Sequence, residues 1–177
     1  MTRLLPGTTL ELDVSRPEAA EQLMQALYMG GDLMLSQVCH ISGLEPHVIQ
    51  NWVARGYLAP PENKRYTQRQ LCRILIIHML RSILSLDLIC RLLSYVNGHL
   101  DDESDDLVDD SKLYFWLVRL ICSPETPNYD LLLADYQEPF PGARRRVEQV
   151  LQIMHTAYLS SQLKQDAEER IARLDAI

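Results

Sequence analysis

The chain has 177 residues, of which 47% are hydrophobic and 23% charged, with a formal net charge of −7. That balance excludes a charge-rich disordered chain and predicts a packed core, in one good-sized domain or two small ones. No apolar run reaches the roughly 18 residues of a membrane span, and the opening MTRLLPGTTLELDV lacks the apolar stretch of a signal peptide, so a cytoplasmic location without membrane contact is expected.

A first short helix is predicted from about Pro17 to Met29, with Ser15 as its cap and Gly30-Gly31 as its stop. Its apolar residues Ala20, Leu23, Met24 and Leu27 share one face. The segment LSQVCHISGLEPHVIQNWVARGYL then reads as a helix after Ser36, a tight turn at Ser42-Gly43-Leu44, and a second helix entered through Pro46 and closed by Gly56. Leu35, Val38, Leu44, Ile49, Trp52 and Val53 supply their shared core. LAPPENKRY is too short for a helix and suits a small hairpin with an Asn-Lys tip. Thr67 caps a third helix to about Ser82 whose apolar positions nearly encircle its axis, and Ser85 starts a fourth that runs to Val96.

Residues 101–110 hold seven acids in ten positions, which predicts a solvated linker and the main domain boundary. Beyond it, SKLYFWLVRLIC is expected as an apolar helix behind a serine cap, followed by a proline-punctuated stretch from Pro124 to Gly142. Val147, Val150, Leu151, Met154 and Tyr158 then mark an amphipathic helix. Leu163, Ala167, Ile171 and Leu174 restart the stripe on another face, which predicts a break or a frayed tail. Arg144, Arg145 and Arg146 oppose the dipole of that helix and point to an acidic partner, residues 101–110 of the same or a second chain being the candidate. The expected segments are 1–32, with one short helix; 33–96, basic; 97–110, the acidic linker; and 111–177, a helical C-terminal region.

Charge is uneven along this plan. Residues 1–32 carry −3, residues 33–96 +4, residues 97–142 −9 and residues 143–177 +1. One clearly basic segment in an acidic chain is the electrostatic footprint expected of a phosphate-binding surface. Cys39, Cys72, Cys90 and Cys122 stand singly, without zinc or redox spacing, and read as small buried hydrophobes. No Walker loop, dinucleotide fingerprint, nucleophile elbow or HExxH pair occurs, so no enzymatic activity, cofactor or metal is expected.

The order of helix, Gly43-Leu44 turn, VIQNWVARGYL, short hairpin and KRYTQRQLCRI resembles the winged helix-turn-helix domain of MerR-type transcription regulators. Asn51-Trp52 before Gly56-Tyr57-Leu58, and Lys64-Arg65-Tyr66-Thr67 at the end of the wing, carry the likeness. Gln50 stands where those regulators usually place an arginine, and the wing is shortened to Glu62-Asn63-Lys64. The chain is also similar to a little-characterised bacterial family that joins a MerR-like N-terminal domain to a helical C-terminal half and has no assigned enzymatic activity. The resemblance implies a mainly α fold, with a small wing hairpin and a C-terminal α-helical region. It further implies a homodimer on double-stranded DNA that reads an inverted repeat through its second helix.

A helix seated in the major groove presents its first turns to base edges while flanking cations meet phosphates. Glu45, His47, Gln50 and Asn51 are therefore the base-reading candidates. Arg55, Lys64, Arg65, Arg69 and Arg73, with Tyr66 beside them, are the backbone-contact candidates. The dimer contact is expected from residues 113–121 and 147–158, which could equally be the core of a C-terminal domain. An interaction module that keeps the helix-turn-helix without binding DNA is the competing reading. A third is a small-molecule or catalytic site in the C-terminal half.

Overall fold

The computed structural model describes residues 2–13, 16, 18–100, 103–123 and 126–174. Ser15 and Pro17 at the start of the first expected helix, Asp101 and Asp102 of the acidic run, and Pro124 lie outside the described residues. The protein is mainly α. Among the described residues no helix is long and apolar enough to cross a membrane.

The chain begins with an antiparallel hairpin that the sequence reading did not anticipate. Its strands are β1 (Thr2–Leu4) and β2 (Glu11–Asp13), with Thr2 opposite Asp13. Tertiary anchors hold it: Leu5 is fully buried, Thr9 N–H donates to Ile41 O at 2.8 Å, and the Tyr114 hydroxyl donates to Pro6 O at 2.8 Å. Helix α1 (Ala19–Tyr28) buries Ala20 and Met24, and its Glu21 accepts from Arg119 at 2.7 Å.

A two-residue strand, β3 (Leu33–Met34), leads into α2 (Leu35–Ser42). Gly43 ends α2 at φ 70°, a left-handed conformation that glycine adopts without a Cβ penalty. Helix α3 (Pro46–Ala54) starts with Pro46 in its first turn, where no N–H is missed, and Gly56 at φ 74° follows its end. The expected hairpin is present. Glu62 and Arg65 form an antiparallel bridge across Asn63 and Lys64, both at positive φ, and β4 (Arg65–Tyr66) pairs with β3.

Thr67 and Gln70 make a reciprocal cap for α4 (Gln68–Leu80), and Gln70 Nε2 also donates to Ala59 O and Pro60 O, fixing the loop before the hairpin. Seven consecutive α4 residues, Leu71 to Ile77, are buried. No helix can do this on one neighbour. Here α2, α5 (Leu86–Asn97), α6 (Asp110–Cys122) and α8 (Ala143–Leu174) pack around it. A four-residue helix, α7 (Tyr129–Leu132), interrupts the proline-rich stretch, and a 3-10 turn covers Glu103–Asp105.

This packing revises the expected domain plan. One hydrophobic cluster runs from Leu5 through Leu75 and Leu117 to Ala157, so residues 1–32, 33–96 and 111–157 share a core. The segments expected to make the dimer contact are largely inside it: Leu113, Leu117, Val147, Val150, Leu151 and Met154 are all fully buried. Residues 103–110 are no solvated linker either. Leu107 and Val108 are buried, Leu107 N–H donates to Val96 O at 2.7 Å, and the Tyr136 hydroxyl donates to Leu107 O.

Two smaller expectations change as well. Asp109, not serine, caps α6, its carboxylate accepting from Ser111 N–H at 2.7 Å, because α6 begins one residue before Ser111. Helix α8 does not break after Tyr158; it runs unbroken for 32 residues, and the shift in apolar phase marks where burial ends.

Candidate nucleic-acid interface

The outer face of α3 follows from helical spacing. Ile49 and Trp52 turn inward and are buried, with Val48 and Val53 half-buried beside them. His47, Gln50 and Asn51 therefore fall on the opposite, exposed side, and Glu45 is exposed at the helix start in extended conformation. Two amide side chains and an imidazole are thus brought to one exposed strip of little more than one turn.

Exposed cations lie at the end of α3, at the end of α4 and on the hairpin. Arg55 follows α3, and its Nη2 donates to the Tyr57 hydroxyl at 2.8 Å, which in turn donates to Asp87 at 2.5 Å. The Arg55 guanidinium also lies 4.8 Å from the centre of the Tyr57 ring. This contact with Asp87 raises the Tyr57 phenol above its ordinary pKa and leaves Arg55 held on its support. Lys64 and Arg65 are exposed at the hairpin tip, with Arg65 donating to Asp32 O at 3.0 Å. Arg81, which the sequence reading passed over, sits 5.9 Å from the Trp52 ring at the end of α4 and is exposed. Its position in the basic segment was the available signal; only packing puts it beside α3.

Three sequence candidates fall outside this surface. Arg73 is buried, 3.2 Å from Asp110, with its Nε donating to Tyr57 O at 3.1 Å. Arg69 is 2.6 Å from Asp106 and within 3.7 Å of Asp110, so the acidic segment holds it. Tyr66 is 3% exposed, its ring in the core under the β3–β4 pair. The cause is the same for both arginines. They lie on the side of α4 onto which residues 106–110 fold, and counter-ions in the chain neutralise them.

That fold-back places carboxylates at unusual burial. Desolvation raises the Asp106 carboxyl to about 6 despite the pull of Arg69. Asp110 is raised too, against Arg73 and Arg69, and accepts from Asn97 at 2.5 Å. A cavity of about 460 Å³ opens beside this cluster, lined by Arg69, Asp106, Lys112 and Tyr136 among others. Within one chain, Arg144 and Arg146 meet other groups than this cluster. Arg144 pairs with Asp130 at 3.2 Å, and Arg146 donates to Tyr95 O and covers the Tyr95 ring.

Burial pushes all four cysteine thiols upward, so they stay protonated near neutral pH. Cys72 lies in the core and the other three are half-buried.

Residues 32–115 match a protein family described as a domain of unknown function, DUF1836. The match runs from just before β3 into α6, so it takes in α3, the hairpin and the Arg69–Asp106 and Arg73–Asp110 pairs together. No curated protein matches the chain. No solved structure matches it either.

Proposed function

We propose that this protein is a sequence-specific, double-stranded DNA-binding transcription regulator. In this reading α2 and α3 form a MerR-like helix-turn-helix, with the Glu62–Arg65 hairpin as its wing. The observation that carries the reading is the pairing of an exposed polar face on α3 with exposed cations at its end, on the hairpin and at the end of α4. Glutamine and asparagine can bond bidentately to adenine in the major groove, and Gln50 and Asn51 sit where a docked helix would meet base edges. Arg55, Lys64, Arg65 and Arg81 would take phosphates on either side. A single half-site helix seldom supplies enough discrimination, so two copies would read an inverted repeat about 34 to 36 Å apart.

Fluorescence anisotropy against genomic fragments, including the chain's own upstream region, tests this. Binding should be salt-sensitive and selective. Gln50→Ala and Asn51→Ala should flatten the sequence preference, whereas Arg55→Ala and Arg65→Ala should weaken all sequences alike. No detectable affinity at low salt would sink the reading and leave the interaction module as the better account.

A further inference from the structure

Helix α3 ends in a way that fixes two side chains against each other. Gly56, in the left-handed conformation, donates its N–H to Val53 O at 3.0 Å, and the next N–H, that of Tyr57, returns to Trp52 O at 2.9 Å. This pair of bonds turns the chain back on its own helix and brings the residue after the glycine against the apolar body. The Tyr57 ring accordingly belongs to the core, and only 9% of the residue is exposed. Arg55, one position before the glycine, is exposed, and its guanidinium lies 4.8 Å from the centre of that ring.

The Tyr57 hydroxyl carries one proton, and that proton goes to Asp87 in the first turn of α5, at 2.5 Å. A phenol that donates to a carboxylate is polarised into a better acceptor, and its remaining lone pair takes Arg55 Nη2 at 2.8 Å. The tyrosine cannot follow a moving arginine, because its backbone O also accepts from Nε of the buried Arg73 at 3.1 Å. Of the five N–H donors of the Arg55 guanidinium, the hydroxyl engages one. A full edge of the planar group stays open, which is what bidentate contact with a phosphate requires.

We propose that Tyr57 is a positioning residue, which holds the Arg55 guanidinium in advance at the end of α3, where a DNA phosphate would meet it. The role rests on the DNA reading, but its first test uses no DNA.

Nitrogen-15 relaxation at Arg55 Nε in the free full chain should show an N–H that is ordered on the picosecond to nanosecond scale, and Tyr57→Phe should release it. Phenylalanine keeps the ring in the core, so the variant remains folded for the comparison. An Arg55 already mobile in the parent, or equally ordered in the variant, would overturn the proposal. On a DNA site that the parent binds, Tyr57→Phe should weaken binding about threefold to tenfold for each copy bound, the effect of having to order one long side chain on association. Its salt slope should match the parent's, because the charge still reaches the phosphate, whereas Arg55→Ala should flatten the slope. The double variant separates positioning from support of the fold. If Tyr57 acts through Arg55, Tyr57→Phe has no further effect once Arg55→Ala is in place. Equal weakening in both backgrounds means a general structural role and sinks the proposal. A parent chain without affinity for any DNA removes the DNA reading and this role with it; unaltered affinity in Tyr57→Phe removes the role alone.

Discussion

Arg73 and Asp110 illustrate what burial does to a charge pair. Each is almost wholly enclosed, and the pair is tied further to Tyr57 O and Asn97. Taking both ions from water is costly, so the pair adds little net stability, but removing one partner leaves the other uncompensated. Arg73→Met should therefore cost about 3 to 5 kcal/mol, seen as a fall of roughly 10 °C in melting temperature. Adding Asp110→Asn should recover part of it. Asp106 makes a separate prediction. Its folded pKa of about 6 lies above the ordinary carboxyl value near 4, so the folded protein binds a proton there that the unfolded chain has lost. The stability from this group is fully present at the acid end and is lost as pH rises through 6. Urea midpoints at pH 5 and 7 should show the parent gaining on Asp106→Asn at pH 5; parallel shifts in both proteins would mean the carboxyl titrates normally.

At the scale of elements, the hairpin between β3's partner strand and Pro61 places a lysine where the backbone favours glycine. Lys64 has φ 62° after Asn63 at φ 49°, the two positive values of a primed two-residue turn, for which Asn-Gly is the preferred pair. A lysine in the left-handed region costs about 1 kcal/mol. Lys64→Gly should stabilise the protein by about 0.5 to 1 kcal/mol in thermal melts, while lowering the magnitude of its salt slope on DNA by nearly one per protomer. Such features were legible because they are local. Gly43, Pro46, Thr67 and Ser85 act on neighbours within four residues, and the elements they bound form where the sequence places them. The β1–β2 hairpin was not legible, since strands of three residues, with Leu12 alone half-buried, are too short to establish a period and its anchors, such as Tyr114 to Pro6, span 108 positions.

For the whole molecule, the decisive property is where its charges cancel. Counting along the chain correctly isolates residues 33–96 as basic, but it treats Arg69 and Arg73 as free and residues 106–110 as solvent-facing. Folding brings the two together: α6 packs along α4, Leu107 and Val108 anchor the acidic segment, and its carboxylates meet the arginines. The exposed face of α3 was readable from periodicity, whereas the loss of two cations required knowing which helix α4 lies against. Sequence distance hid this, with 37 positions separating Arg73 from Asp110. Under the proposed DNA reading the difference is measurable. Five phosphate-binding cations per protomer, as the linear reading has it, would give a dimer a log–log salt slope of about −9. With Arg69 and Arg73 neutralised inside the chain, Arg55, Lys64, Arg65 and Arg81 remain, and the slope should be about −7. Arg69→Gln should then leave the slope unchanged, while Arg65→Gln should reduce its magnitude by about two in a dimer; a large response to Arg69→Gln would mean that the acidic segment lifts away when DNA binds.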